Sequence, residues 1–157
     1  MRVLLLAVAI AGCTDGPETF GDDPADRQLP PRGSRDIATW LEQGFYKEWN
    51  CEASVHPASP ESPHGPNRIC NNDALHDAIE GEGSWPVGAA SVKEVFRGST
   101  IVVYAVSRRV EEGPDSDGWY WYEGIGDSVS SNGQGVESCV GCHAGAARDF
   151  VFTVVPD

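Results

Sequence analysis

The sequence feature that most constrains this chain is a five-residue motif near its C-terminus, Cys139-Val140-Gly141-Cys142-His143. The pattern C-x-x-C-H is the attachment site of a c-type haem. Two cysteines three positions apart lie on one side of a helical turn, so both thiols can join the two vinyl groups of one porphyrin, and the following histidine ligates the iron. The sequence therefore predicts one covalent haem c, and the fold must be built around it.

The same two cysteines have other interpretations. A zinc site needs further ligands grouped nearby, and no other cysteine or histidine is close to the motif in the sequence. A thioredoxin-like redox pair should open a long helix, whereas this segment is short and rich in glycine. The only methionine is Met1, so a mature chain lacks the methionine ligand of an ordinary electron-carrying cytochrome c. The sixth iron position is then a histidine, another side chain, or open.

The N-terminal residues 1–12 are predicted to be a lipoprotein signal peptide. Arg2 supplies the positive charge, and the apolar stretch after it is too short to span a bilayer. It ends in Ala11-Gly12-Cys13, which resembles a bacterial lipoprotein box, so we expect cleavage before Cys13 and a lipid on its sulfur. A plain secretory signal is the alternative. Thr14 after the cysteine favours the outer membrane, so the expected location is the periplasm, with the membrane reached through the lipid anchor.

Cysteine pairing follows from these assignments. The chain has five cysteines: one is assigned to lipid and two to haem. Cys51 and Cys70 remain, and in an oxidising compartment they are predicted to form a disulfide. Two unrelated buried thiols are the alternative.

The domain organisation is predicted from composition. Residues 13–35 are expected to be a lipid-anchored, disordered tether, because prolines, glycines and acidic residues dominate and only Phe20 and Leu29 are large and apolar. Residues 36–157 are expected to form one mono-haem domain. The net charge of −13 disfavours nucleic-acid binding and favours a basic redox partner.

Hydrophobic spacing predicts an α+β domain, mainly an antiparallel β-sheet with a few short helices packed around one c-type haem. Apolar residues at helical spacing predict a helix over 36–49, capped by Asp36, and a second over 73–80. Runs rich in Val, Ile, Tyr and Trp between glycine-containing turns predict strands, and their short connections imply antiparallel pairing. The predicted strands cover 67–71, 89–96, 100–109, 119–123 and 150–155, and the predicted loops cover 53–66 and 130–135.

Two segments resemble the cytochrome P-460 family, which includes the cytochromes c′-beta. Residues 85–94 (WPVGAASVKE) are similar to its "G-x-x-P-x-G-x-x-x-V-K-E" strand, and residues 139–143 with 149–153 (DFVFT) are similar to its "C-x-x-C-H … D-x-V-F-T" end. The resemblance covers roughly residues 36–155. It implies a mostly antiparallel sheet, a homodimer in many members, and a five-coordinate haem with His143 as proximal ligand that binds or transforms small nitrogen oxides such as NO or hydroxylamine.

The resemblance also implies two haem-adjacent candidates. In the hydroxylamine-oxidising members a lysine of the V-K-E strand is joined to the porphyrin, and the matching residue is Lys93; a lysine extending along a half-buried strand is the alternative. Those members carry a distal glutamate on the next strand, where this chain has Tyr104. A tyrosine of ordinary pKa is a poor general base, so the expectation is NO binding with little hydroxylamine oxidation.

Three functions compete at this point. The first is a haem protein with an open iron position, acting on small nitrogen oxides. The second is an electron carrier with bis-histidine ligation, whose second ligand is His56, His64 or His76. The third is a structural lipoprotein without haem, whose C-x-x-C forms a disulfide. The spin state of the iron separates the first two, and covalent haem separates both from the third.

Overall fold

The computed structural model describes residues 27–58, 60, 62–113, 118–152 and 155. It is an α+β fold, mainly a six-stranded antiparallel sheet with a few short helices, as predicted. Sequence neighbours are also neighbours in the sheet, whose order is β1-β2-β3-β4-β5-β6. The elements are α1 (Ser34–Gln43), a 3₁₀ turn (Phe45–Glu48), β1 (Asn50–Cys51), β2 (Asn67–Asn71), α2 (Asp73–His76), β3 (Ala90–Arg97), β4 (Thr100–Arg109), β5 (Trp119–Ile125), β6 (Ser128–Gln134) and α3 (Glu137–His143).

The two faces of the sheet are covered by different helices. In an antiparallel sheet, paired residues place their side chains on the same face, and successive residues alternate between faces. One face packs against α1 and is called the α1 face; it carries Cys70, Val92, Val106 and Tyr122. The other packs against α3 and is called the α3 face; it carries Ser91, Lys93, Ala105, Ser107 and Trp121.

Helix α1 supplies the main hydrophobic core of the α1 face. Its Ile37, Trp40 and Leu41 are at most 2% exposed and follow the 3.6-residue period that the sequence shows. The helix is shorter than predicted, since Gly44 adopts the left-handed conformation (φ 75°) that ends helices. It also begins earlier, so Asp36 lies in the first turn and does not cap the helix.

Strand β6 corrects the prediction of a loop at residues 130–135. Its sequence, SVSSNGQ, is polar and mostly exposed, and it pairs antiparallel with β5 as the last strand of the sheet. An edge strand is held by backbone hydrogen bonds on one side and needs no apolar alternation. Two other predicted elements are longer than the observed ones. Helix α2 ends at His76, and from the predicted strand 150–155 the described residues show only a bridge between Arg148 and Val151; residues 153 and 154 are outside them.

The predicted disulfide is confirmed. Cys51 and Cys70 are bonded and lie opposite each other in the pairing of β1 with β2. The bond closes the loop that carries residues 53–66, and so ties that loop to the sheet on both sides.

Part of the segment that the sequence assigns to the tether contacts the packed domain. Residues assigned to the tether contact the domain through main-chain carbonyls: Arg27 O accepts from Trp49 Nε1 at 3.2 Å, and Pro30 O accepts from Arg108 Nη1 at 2.7 Å. Residues 1–26, with the signal, Cys13 and most of the tether, are outside the described residues. Among the described helices, none has the length and apolar character needed to cross a bilayer.

Candidate functional site

Helix α3 presents the two motif cysteines. Both Cys139 and Cys142 are free thiols, the first half-buried and the second exposed. Burial raises the pKa of the Cys139 thiol, partly offset by hydrogen bonds from Ser131 and Ser138. Because the two cysteines are three positions apart on one helix, their thiols are on the same side and can bond to one shared partner.

His143, the last residue of α3, is oriented by a backbone carbonyl. Its Nδ1–H donates to Phe150 O at 2.8 Å, so the proton is on Nδ1 and the lone pair is on Nε2. The ring lies 4.6 Å from the Trp121 ring and 5.3 Å from the Phe152 ring, measured between centroids. Burial lowers the pKa of His143, which keeps the imidazole neutral. A neutral histidine with a fixed tautomer and one available nitrogen is the form that ligates metals.

The segment that supplies this carbonyl is held in a strained conformation. Asp149 and Phe150 both have positive φ, 31° and 64°, which is uncommon for residues other than glycine. The Asp149 carboxylate accepts from Trp85 N at 2.8 Å, from Trp119 Nε1 at 3.3 Å and from Arg109 Nη1 at 3.4 Å. This buried network therefore fixes the turn that aims Phe150 O at His143. Sequence reasoning used Asp149 only as part of a motif and missed this role.

The α3 face is partly open beside His143. Ser91, Ala105 and Ser107 are small and only partly buried, whereas Val92 and Val106 on the opposite face of the same strands are 0% and 2% exposed. At Val92 and Val106 the α1 side is thus fully buried, whereas the α3 side is only partly buried. This partly buried stretch, called the open area, lies between α3, which packs against Trp121, and His64 of the loop before β2, which lies near Glu123.

Lys93 lies in this open area. It pairs with Ala105 of β4, which in turn pairs with Glu123 of β5, so the three side chains form a row across the α3 face. Burial lowers the pKa of Lys93, and the charges of Glu52 and Cys142 oppose that shift. The structure therefore places Lys93 on the same face as α3, as a haem-adjacent residue requires.

Tyr104, the second haem-adjacent candidate, is not on this face. It pairs with Glu94 and lies on the α1 face, where its ring is 6.0 Å from that of Tyr46 in an edge-on contact. Because side chains alternate along β4, Tyr104 and the motif are on opposite faces of the sheet, and the neighbour Ala105 is on the α3 face.

The three remaining histidines have different surroundings. His56 Nε2 lies 3.1 Å from Glu52 Oε2, and His76 Nδ1 lies 3.2 Å from Val155 O. His64 is on the α3 face, where its Nδ1 lies 3.6 Å from Glu123 Oε2 and its side chain is 15% exposed. In the sequence, His64 stands in the predicted loop 53–66 and is one of three candidate second iron ligands. Its burial on the face of His143 was not predicted.

Comparisons of the chain with family models, with curated proteins and with solved structures find no match. Within the residues that the structure describes, no group of three or more His, Cys, Asp or Glu side chains is arranged to hold a metal ion. Function is therefore inferred from the residues of the site.

Proposed function

We propose that this chain is an exported, lipid-anchored mono-haem c-type cytochrome, similar to the cytochrome P-460 and c′-beta proteins. It binds or transforms small nitrogen oxides, NO or hydroxylamine, at a five-coordinate iron. A basic redox partner and a homodimer remain part of the proposal, in line with the acidic net charge of −13 and with the family resemblance.

The observation that carries the proposal is the state of the motif residues. Two free thiols stand three positions apart on α3, and the next residue has its Nδ1 occupied by Phe150 O. The residues present therefore fit a covalent haem: Cys139 and Cys142 would hold the porphyrin, and Nε2 of His143 would ligate the iron. When bound, the haem iron supplies a coordination position for a small ligand.

The open part of the α3 face supports the same proposal. Ser91, Ala105 and Ser107 are small and only partly buried on this face, and Phe152, in ring contact with His143, is 57% exposed. An exposed large apolar side chain beside the motif suits contact with an apolar macrocycle. Lys93 is on the same face, and burial lowers its pKa, which favours the neutral amine that contact with a porphyrin edge requires.

A second candidate function is an electron carrier with two axial histidines. The burial of His64 on the α3 face favours His64, over His56 and His76, as the second axial ligand of such a carrier. A directly ligating His64 would close the sixth position and exclude ligand binding.

EPR and optical spectra of the haem-loaded protein test the proposal. We expect high-spin ferric iron, and a new optical species when NO is added to the ferrous protein. His143→Ala should keep covalent haem but change both spectra, whereas His76→Ala, the matched control, should change neither. A low-spin ferric spectrum that does not respond to NO would contradict the proposal and support the electron carrier.

A further inference from the structure

His64 and Glu123 form a pair on the α3 face, outside the C-x-x-C-H motif. The loop that carries His64 is fixed to the sheet just after it, because Phe96 N donates to Pro66 O at 2.7 Å. Glu123 is on β5, where it pairs with Ala105 of β4, and Ala105 pairs with Lys93 of β3. The pair therefore lies in the same row across the strands as Lys93. His143 contacts Trp121, and the pair is on the side of the open area away from Trp121.

The position of Glu123 favours one tautomer of His64. With Glu123 Oε2 3.6 Å from Nδ1, the carboxylate favours the tautomer that has its proton on Nδ1, so the lone pair is on Nε2. A neutral imidazole with its proton on Nδ1 can accept a hydrogen bond through Nε2. Burial, together with the charge of Lys93, lowers the pKa of His64 to about 4 against a smaller opposing effect of Glu123, so the ring is neutral at pH 7.

We propose that His64, with Glu123 beside its Nδ1, is the residue that accepts a hydrogen bond from a small ligand bound in the open part of the α3 face. The inference rests on the proposed function. It selects ligands that carry an N–H or O–H group, such as hydroxylamine, over ligands without one, such as NO. Glu123 is a positioning residue, because it acts through His64.

Ligand binding to the haem-loaded full chain tests this inference. Hydroxylamine is mixed anaerobically with the ferric protein without an electron acceptor, NO is mixed with the ferrous protein, and both affinities are read optically. His64→Leu should weaken hydroxylamine binding by about 3- to 10-fold, the value of one hydrogen bond, and should change NO binding by less than about 2-fold. Glu123→Gln should weaken hydroxylamine binding in the same direction by a smaller factor. His56→Leu and His76→Leu are the matched controls and should change neither affinity.

The outcomes separate this inference from the proposed function. Chains that bear no covalent haem contradict both. Chains that bear haem and bind NO, but whose His64→Leu variant loses no hydroxylamine affinity or loses affinity for both ligands equally, overturn the role of His64 alone. A low-spin wild-type ferric spectrum that becomes high-spin in His64→Leu also overturns it, because His64 would then ligate the iron itself.

Discussion

Removal of the Asp149 carboxylate is expected to destabilise the domain strongly. Arg109, one of the groups that donate to it, has a side chain that is 0% exposed, and the Asp149 side chain is 6% exposed. Loss of one partner from a buried ion pair costs about 3–5 kcal/mol, because the other charge stays in a medium that solvates it poorly. Asp149→Ala should therefore lower the free energy of unfolding by about 3–5 kcal/mol, measured as a lower midpoint with an unchanged slope in guanidinium unfolding.

The strained backbone at this position supplies a matched comparison. Glycine adopts positive φ without the steric cost that alanine has, and φ is 31° at Asp149. Asp149→Gly should therefore be less destabilising than Asp149→Ala by about 1 kcal/mol, although both lack the carboxylate. The exposed Asp77 is the control, and Asp77→Ala should change the free energy by less than about 0.5 kcal/mol. Equal midpoints for Asp149→Ala and Asp77→Ala would refute the role assigned to the network.

Three further predictions concern other parts of the molecule. The pKa of His64 is about 4 in the folded chain and about 6.5 in the unfolded one, so the unfolded state binds more protons as the pH falls from 6.5 to 4. The free energy of unfolding should then drop by up to about 3 kcal/mol across that window, and His64→Gln should flatten the drop in urea titrations at each pH. Replacing both Cys51 and Cys70 by serine should lower the free energy of unfolding by about 2–5 kcal/mol. If thiol labelling of the unreduced, unfolded wild type modifies these two residues, the disulfide is contradicted. Glu94→Gln should lower the free energy of unfolding by about 2–4 kcal/mol, because the buried carboxylate accepts hydrogen bonds from Tyr46 at 2.6 Å and from Arg68 at 2.7 Å. An unchanged melting curve would contradict this prediction.

Much of the sheet is predictable because its inner strands have a local signal. Strands β3, β4 and β5 are rich in β-branched and aromatic residues, and glycine-containing turns separate them. The disulfide was predictable from composition, since lipid and haem assignments left only Cys51 and Cys70. Strand β6 was not predictable in this way, because it is a polar edge strand held mainly by hydrogen bonds to β5.

The site was only partly predictable because it depends on which face each strand residue occupies. The period of a strand is two, so an alignment that is wrong by one residue moves a side chain to the opposite face. This is why Tyr104 lies on the α1 face against Tyr46, while Ala105 lies on the α3 face. The sheet face on which His64 lies could not be predicted, because nothing in a proline-rich loop sequence specifies which face that loop covers.

The mass of the denatured chain, produced in a host that attaches haem to exported proteins, tests the covalent haem most directly. We expect an increase equal to one haem, which is lost when Cys139 and Cys142 are both replaced by alanine and is kept when Cys51 and Cys70 are. A wild-type mass without haem, under conditions in which a known c-type cytochrome is matured, would contradict the central claim.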